Sequence, residues 1–177
     1  MTSLGVGVLG TGWVSGEYIQ AFERNAHTEV RAILSRDSER AAAKAREHHL
    51  VACTAYDRLE DLLNNPTVQI VAICTPHHLH VPQGVAAARA GKHLVLEKPV
   101  ALDSEGLREL LDAVRFAGVR TVVSFVLRWN PLFETIRALL EDSTIGRLFY
   151  AEVDYLQRHR PLVCPALLKR EAGDRRQ

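Results

Sequence analysis

Short, almost wholly apolar segments alternate with segments of helical periodicity along most of the sequence. The apolar segments are typical of strands buried on both faces of a sheet, and they cover Leu4–Leu9, residues 29–34, 69–74 and 93–96, and the β-rich run 119–127. Between them, apolar side chains recur every three or four positions after residue 13 and over residues 38–48, 59–63, 82–90 and 104–117. Strands that alternate with helices in this way predict a parallel sheet with helices on both of its faces.

Two of these helices carry signals for their ends and faces. Asp37 or Ser38 is the expected N-cap of the second helix, because short polar side chains accept hydrogen bonds from the free amides there. The helix over residues 104–117 is expected to end at Gly118. Its expected inner stripe consists of Leu107, Leu110, Leu111 and Val114.

The pattern changes after residue 124. Residues 131–141 predict an amphipathic helix with a proline in its first turn. After Gly146, apolar and polar residues alternate through residue 156, which predicts a strand with one face in water, as in an antiparallel or mixed sheet. The sequence therefore predicts an α/β domain over residues 1–124 and the beginning of an α+β domain over residues 125–177.

A glycine-rich turn joins the first strand to the first helix. Gly10 permits a tight turn, Gly12 lets the backbone approach a pyrophosphate, and the helix N-terminus faces the negative charge. Ser15 replaces the third glycine of the dinucleotide fingerprint with another small residue. Trp13 either covers the cofactor or is a plain surface aromatic residue. The turn predicts a doubly wound Rossmann sheet that binds a dinucleotide through Gly10, Thr11, Gly12, Trp13 and Val14.

The end of the second strand selects the dinucleotide. An NAD site commonly has Asp or Glu there, which binds the ribose 2′-hydroxyl. This sequence has Ser35 and Arg36 instead, a hydroxyl and a cation suited to a 2′-phosphate. Asp37 could supply the acidic group, but it is better used as a helix cap. The sequence favours NADP over NAD.

Composition and charge exclude several classes of protein. The 177 residues are 47% hydrophobic and 24% charged, as in ordinary globular domains. They contain no apolar run of the roughly 18 residues that a membrane span needs, and no signal-peptide pattern. Residues 158–177 carry six Lys/Arg against two Asp/Glu, but this short tail lacks interleaved aromatic residues, so it does not predict nucleic-acid binding.

The cysteines bear on the compartment. The sequence has three, Cys53, Cys74 and Cys164, which are widely spaced and odd in number. This usage predicts a reduced, cytoplasmic setting. Cys74 ends an apolar run and is expected to be a buried small hydrophobic residue.

Two further segments follow predicted parallel strands, and such strand ends are where open α/β sheets bind ligands. Thr75, Pro76, His77 and His80 follow the strand over residues 69–74, and Glu97-Lys98-Pro99 follows residues 93–96. A lysine at such a site can hold a developing alkoxide or relay a proton. His77, His78 and His80 cannot easily all face one ion on a short turn, so we predict no metal site.

Taken together, these segments resemble the Gfo/Idh/MocA family, named after glucose–fructose oxidoreductase, inositol dehydrogenase and a rhizopine-catabolism protein. The resemblance runs from about Leu4 to Tyr155. It rests on Gly10-Thr11-Gly12, Thr75-Pro76 with His80, Ala90-Gly91-Lys92-His93, Glu97-Lys98-Pro99 and Arg128-Trp129-Asn130-Pro131.

The resemblance implies NAD(P)-dependent hydride transfer to or from a sugar, cyclitol or related polyol. By this analogy Lys98 is the catalytic residue, contacting the substrate hydroxyl and the nicotinamide ribose, and Glu97 lies beside the cofactor. The nicotinamide half of the cofactor is expected to contact Thr75, Pro76, His77 and His80, with Arg128 nearby.

The resemblance also implies a larger second domain that carries a later Asp/His pair. This sequence supplies only the beginning of that domain, and His159 is the only histidine beyond His93, so a C-terminally truncated chain is expected. Two functions remain open: an oxidoreductase, or a cofactor-binding fragment or sensor without turnover. The predicted strand over residues 146–156 has unpaired edges, which predicts that the segment either pairs with a second copy of the chain or promotes aggregation.

Overall fold

The computed structural model describes residues 3–154. The chain divides after Trp129 into two compact units. The first, here called the Rossmann unit, contains a parallel six-stranded sheet in the order β3-β2-β1-β4-β5-β6. Its strands are β1 (Leu4–Leu9), β2 (Thr28–Leu34), β3 (Thr54–Tyr56), β4 (Ile70–Ile73), β5 (His93–Leu96) and β6 (Thr121–Val123). Its helices are α1 (Trp13–Arg24), α2 (Ser38–Glu47), α3 (Leu59–Leu63), α4 (His80–Arg89) and α5 (Ser104–Ala117).

The strand order confirms the predicted doubly wound α/β fold. The chain moves outward from β1 to β3, then returns so that β4 pairs with β1 on the other side. The carboxyl ends of β1 and β4 therefore border a topological switch point, where sheets of this kind bind ligands.

Helices cover both faces of the sheet because neighbouring residues of a strand point to opposite faces. Val8 packs in one hydrophobic cluster with Ile19 of α1 and Ala41 of α2. Leu9 packs in a second cluster with residues of α4 and α5, among them Val85 and Leu110.

The bounds of β5 and α5 agree with the sequence prediction, whereas three other elements differ. β3 was missed because its three residues form no apolar run and are exposed or half-buried. The predicted run 119–127 forms a strand only at Thr121–Val123, and Val126–Trp129 forms a 3-10 turn. α4 begins at His80 rather than at residue 82, directly after a 3-10 turn at His77–Leu79.

The predicted inner stripe of α5 is partly wrong. Leu110 is buried and Val114 packs against the core, but Leu107 and Leu111 are 48% and 42% exposed. The close approach of α4 explains the difference, because a Cβ atom at Gly84 would lie 2.8 Å from Leu110 Cδ1. The inner face of α5 thus runs through Leu110 and small residues rather than through a row of leucines.

The second unit contains α6 (Pro131–Glu141), whose bounds match the prediction. The Asn130 side chain caps this helix by accepting a hydrogen bond from the Leu132 amide at 2.9 Å. The predicted domain boundary after residue 124 stays a prediction.

The strand predicted over residues 146–156 does not form in the part of it that the structure describes, which ends at residue 154. Residues 147–154 lie in no helix or strand, and Phe149 and Val153 are exposed. A strand needs backbone hydrogen bonds to a neighbour, and within residues 3–154 no segment supplies them. Alternation of side chains alone is therefore not enough. Residues 155–177, with His159 and the basic tail, lie outside the described residues.

No helix within residues 3–154 combines the length and the apolar character needed to cross a membrane.

Candidate cofactor site

The turn after β1 depends on a glycine for its backbone conformation. Gly10 has φ +103°, which side chains with a Cβ atom rarely adopt. A Cβ atom there would also lie only 2.7 Å from the carbonyl oxygen of Cys74, at the end of the neighbouring strand. Gly10 thus brings the end of β1 close to the end of β4.

Gly12 is required for a different reason. Its φ of −68° suits any residue, and a Cβ atom there would meet nothing within 4 Å. The glycine therefore keeps open space at the surface of a cleft that it lines. Such a bare backbone allows a phosphate to approach closely, and this fits a dinucleotide pyrophosphate.

The N-terminus of α1 has no side-chain cap. Gly12 occupies the N-cap position, and the first turn of the helix has no acidic residue. By contrast, carboxylates of Asp37 and Asp103 cap α2 and α5. Ser15 is fully buried and donates its hydroxyl to the Gly12 carbonyl at 2.6 Å, so it does not occupy an amide either. The first amides of α1 remain available for an anion.

The turn and the helix N-terminus border a cleft of about 690 Å³ within the Rossmann unit. Nine of the predicted cofactor residues line it: Gly10, Thr11, Gly12, Trp13, Val14, Ser35, Arg36, Thr75 and Pro76. These residues follow β1, β2 and β4, which are neighbours in the sheet. Trp13 lines the cleft and is 73% exposed, which fits both a cover over the cofactor and a plain surface aromatic residue.

The end of β2 provides hydroxyl and cationic groups to this cleft. The Thr11 and Ser35 hydroxyls lie 3.3 Å apart. The Asp37 carboxylate accepts a hydrogen bond from the Glu39 amide at 2.9 Å, which confirms its predicted role as a helix cap. Because the Asp37 carboxylate caps the helix, the loop that carries Arg36 offers no free carboxylate to bind a ribose 2′-hydroxyl.

Sequence reasoning missed two charged residues of the cleft. Arg40 lies four positions after Arg36 on α2 and also lines the cleft. Within residues 3–154 neither arginine forms an ion pair. The place of Arg40 in the first turn of the helix that follows Arg36 was a usable signal. Asp57 also lines the cleft, but it follows β3, which the sequence analysis did not find.

Cys74 lines the cleft from the end of β4 and behaves as predicted. Its side chain is buried, and this burial raises the pKa of the thiol to about 12. At neutral pH it stays protonated and acts as a small hydrophobic residue.

Glu97 and Lys98 follow β5, which pairs with β4, so they lie at the same edge of the sheet. Glu97 is held by two hydrogen bonds: its carboxylate accepts from the Tyr18 hydroxyl of α1 at 3.0 Å and from the Lys98 amide at 2.9 Å. Burial, more than any other cause, raises the pKa of Tyr18, so the phenol remains a donor. Lys98 itself is exposed.

His80 corrects the prediction. It was expected to contact the cofactor, but it is fully buried and does not line the cleft. As the first residue of α4 it points into the protein, where its ring contacts the Thr75 and Pro99 carbonyls. Its role is therefore in the architecture of the site.

Like Glu97, Lys98 and His80, the last two predicted residues, His77 and Arg128, lie outside the lining of the cleft. His77 is exposed and borders a separate depression of about 320 Å³ with Asp103 and Glu105. Arg128 is exposed in the 3-10 turn Val126–Trp129. In residues 3–154, no three metal-ligating side chains come together.

Comparison with known proteins decides the family. Residues 4–125 match the model of the oxidoreductase family with an NAD-binding Rossmann fold. The chain belongs to the Gfo/Idh/MocA family of oxidoreductases. This membership confirms the resemblance stated from the sequence, together with an NAD(P)-binding Rossmann domain.

Individual relatives agree. An uncharacterized oxidoreductase of Synechocystis sp. is 36% identical over 154 residues, which are 87% of this chain and 41% of that protein. The 1,5-anhydro-D-fructose reductase of Ensifer adhaerens is 33% identical over 147 residues, 83% of this chain and 44% of that protein. The crystal structure of a 3-ketoreductase from Actinomadura kijaniata in complex with NADP has a TM-score of 0.74 at 27% identity, over 82% of this chain and 46% of that one. The chain thus spans about two fifths of the length of the curated relatives it matches.

Proposed function

We propose that this chain binds NADP(H) in the Rossmann cleft and contributes Lys98 to hydride transfer involving a hydroxyl or carbonyl group of a sugar or cyclitol. The observation that carries the proposal is the convergence of Gly12, the uncapped N-terminus of α1 and two arginines on one cleft. A pyrophosphate fits the first two features, and a further phosphate fits the arginines.

The charges at the end of β2 support NADP over NAD. Arg36, just before the N-cap of α2, and Arg40, in the first turn of that helix, both border the cleft, so both can reach one phosphate group. Ser35 adds a hydroxyl beside them. Asp57 is the one acidic residue among the described residues that line the cleft, and it follows a different strand. The related 3-ketoreductase is a complex with NADP, which agrees with this assignment.

Lys98 supports the chemical part of the proposal. When bound, the nicotinamide ring supplies or accepts the hydride. The exposed Lys98 ammonium group can donate a proton to the substrate oxygen or stabilise its negative charge. Glu97 is fixed by Tyr18 and by the Lys98 amide, so the turn that carries Lys98 has a defined conformation. The sugar or cyclitol substrate class is supported by relatives such as 1,5-anhydro-D-fructose reductase.

Calorimetric titration with NADPH and NADH tests the cofactor assignment. We expect NADPH to bind at least about tenfold more tightly, because each charge-assisted contact to the 2′-phosphate contributes about 1.5–3 kcal/mol. Arg36→Ala and Arg40→Ala should each reduce this preference.

Arg46→Ala is the matched control, since Arg46 lies on the same helix but pairs with Glu39 at 2.6 Å and does not line the cleft. It should keep the preference of the native chain. Equal affinity of the native chain for NADPH and NADH would contradict the assignment. A turnover screen with sugars and polyols then separates an oxidoreductase from a protein that binds the cofactor without turnover.

A reduced cytoplasmic setting remains part of the proposal and is supported by Cys53 and Cys74, which form no disulfide within residues 3–154. Association through residues 146–157 stays a prediction, and the strand on which it was based does not form over residues 147–154. Size-exclusion chromatography with light scattering would measure it directly.

A further inference from the structure

The buried side chain of His80 has an unusual pair of hydrogen-bond partners. His80 is fully buried at the start of α4, whereas His77 and His78 before it are exposed. Its Nδ1 atom lies 2.7 Å from the carbonyl oxygen of Pro99. Its Nε2 atom lies 2.8 Å from the carbonyl oxygen of Thr75.

The two carbonyl partners determine which protonation state of the His80 ring can form both hydrogen bonds. A backbone carbonyl only accepts hydrogen bonds, so each ring nitrogen must donate to it. A neutral imidazole has one N–H donor and one lone pair, and it would turn the lone pair toward one of the two carbonyl oxygens. Only the imidazolium form donates from both nitrogens.

The two carbonyl groups belong to the two turns of the proposed active site. Thr75 follows β4 and lines the cofactor cleft, and Pro99 directly follows Lys98 after β5. We propose that His80 is a positioning residue, held as an imidazolium ion, that ties the Lys98–Pro99 turn to the Thr75–Pro76 turn. The positioning of Lys98 relative to the cofactor rests on the proposed function, whereas the charge state of the ring does not.

The ring of His77 packs edge-on against the ring of His80, with centroids 5.5 Å apart. For a cation buried at this position, the two accepting carbonyls replace lost water.

Nuclear magnetic resonance of the ring nitrogens tests the charge state without any cofactor. Long-range proton–nitrogen spectra of the native chain report which ring nitrogens of His80 carry protons. From the two carbonyl partners, we expect both nitrogens to carry one. A spectrum with one bare ring nitrogen would overturn the imidazolium assignment.

His80→Gln tests the tie between the turns, because a glutamine amide can donate to one of the carbonyls but not to both. We expect amide hydrogen exchange at Glu97 and Lys98 to become about tenfold faster, and NADPH affinity to fall by a similar factor. His27→Gln is the control, since His27 is exposed at the opposite edge of the sheet, before β2.

The outcomes separate this inference from the proposed function. A folded His80→Gln chain whose exchange at Glu97 and Lys98 matches that of His27→Gln would overturn the tie. Faster exchange with unchanged NADPH affinity would keep the tie and overturn its role in the cofactor site. Failure of the native chain to bind NADPH would contradict the proposed function, while the ring spectrum and the exchange rates would still decide the inference.

Discussion

Two turns at the same edge of the sheet are built in opposite ways. The turn after β1 is made by backbone groups: Gly10 takes a positive φ, and its amide donates to the carbonyl of Leu34 on β2 at 2.8 Å. The turn after β5 is held by side chains from elsewhere, since Tyr18 of α1 binds Glu97 and His80 of α4 contacts the Pro99 carbonyl.

The difference matches what each turn has to do. A pyrophosphate needs bare amides and space, which backbone and glycines supply locally. A proton-donating lysine needs a defined position, and packed side chains with further hydrogen bonds supply it. Substitutions should therefore act on the first turn through backbone strain and on the second through lost support.

The largest effect is expected at Lys98. Replacing it in Lys98→Met should lower the rate of sugar or polyol turnover by about 10²–10⁴-fold, because a proton-transfer group is lost. NADPH affinity should change by no more than about threefold, which corresponds to less than about 1 kcal/mol of binding free energy. Lys98→Arg sharpens the test, since it keeps the positive charge but cannot release a proton at neutral pH. Steady-state kinetics near the native rate in either variant would remove Lys98 from the proton transfer.

The two glycines of the first turn should respond differently. Gly10→Ala should lower the free energy of unfolding by about 2 kcal/mol or more, because it combines a strained φ with a contact to the Cys74 carbonyl. Gly12→Ala should leave stability within about 0.5 kcal/mol, yet weaken NADPH by about tenfold or more because the methyl group occupies the cleft. Urea unfolding and NADPH titration of both variants measure the contrast. Equal losses of stability in the two variants would contradict the separate roles of Gly10 in the backbone conformation and of Gly12 in the space for the cofactor.

A smaller effect is expected at Tyr18. Tyr18→Phe removes one hydrogen bond to the Glu97 carboxylate and should cost about 1 kcal/mol of stability. Because the pKa of Tyr18 is raised in the folded state, this contribution is present at neutral pH. It is lost only as the pH rises beyond the ordinary tyrosine value of about 10.

Tyr56→Phe is the matched comparison for Tyr18→Phe, since its hydroxyl accepts from the Asn65 amide at 3.1 Å, away from Glu97. Both variants should lose similar stability in thermal unfolding, but only Tyr18→Phe should weaken NADPH binding, by about threefold. If both variants bound NADPH like the native chain, Glu97 would not depend on support from α1.

Several elements followed from the sequence because their signals are local. The glycine turn, the cap at Asp37 and the bounds of β5, α5 and α6 depend on residues within one or two turns of each other. Periodicity and capping act over this range. The same holds for the cleft residues that directly follow β1, β2 and β4, because parallel strands bring their carboxyl ends together.

Other features were decided only by the tertiary structure. His80 is turned inward because α4 begins two residues earlier than its periodicity suggested, and the resulting position faces two carbonyls from different turns. Arg40 and Asp57 reach the cleft because α2 and β3 pack at its border. The alternating residues 147–154 form no strand because no neighbouring segment pairs with them within residues 3–154. In each case the outcome depends on a partner distant in sequence, and a local pattern carries no information about whether that partner is in place.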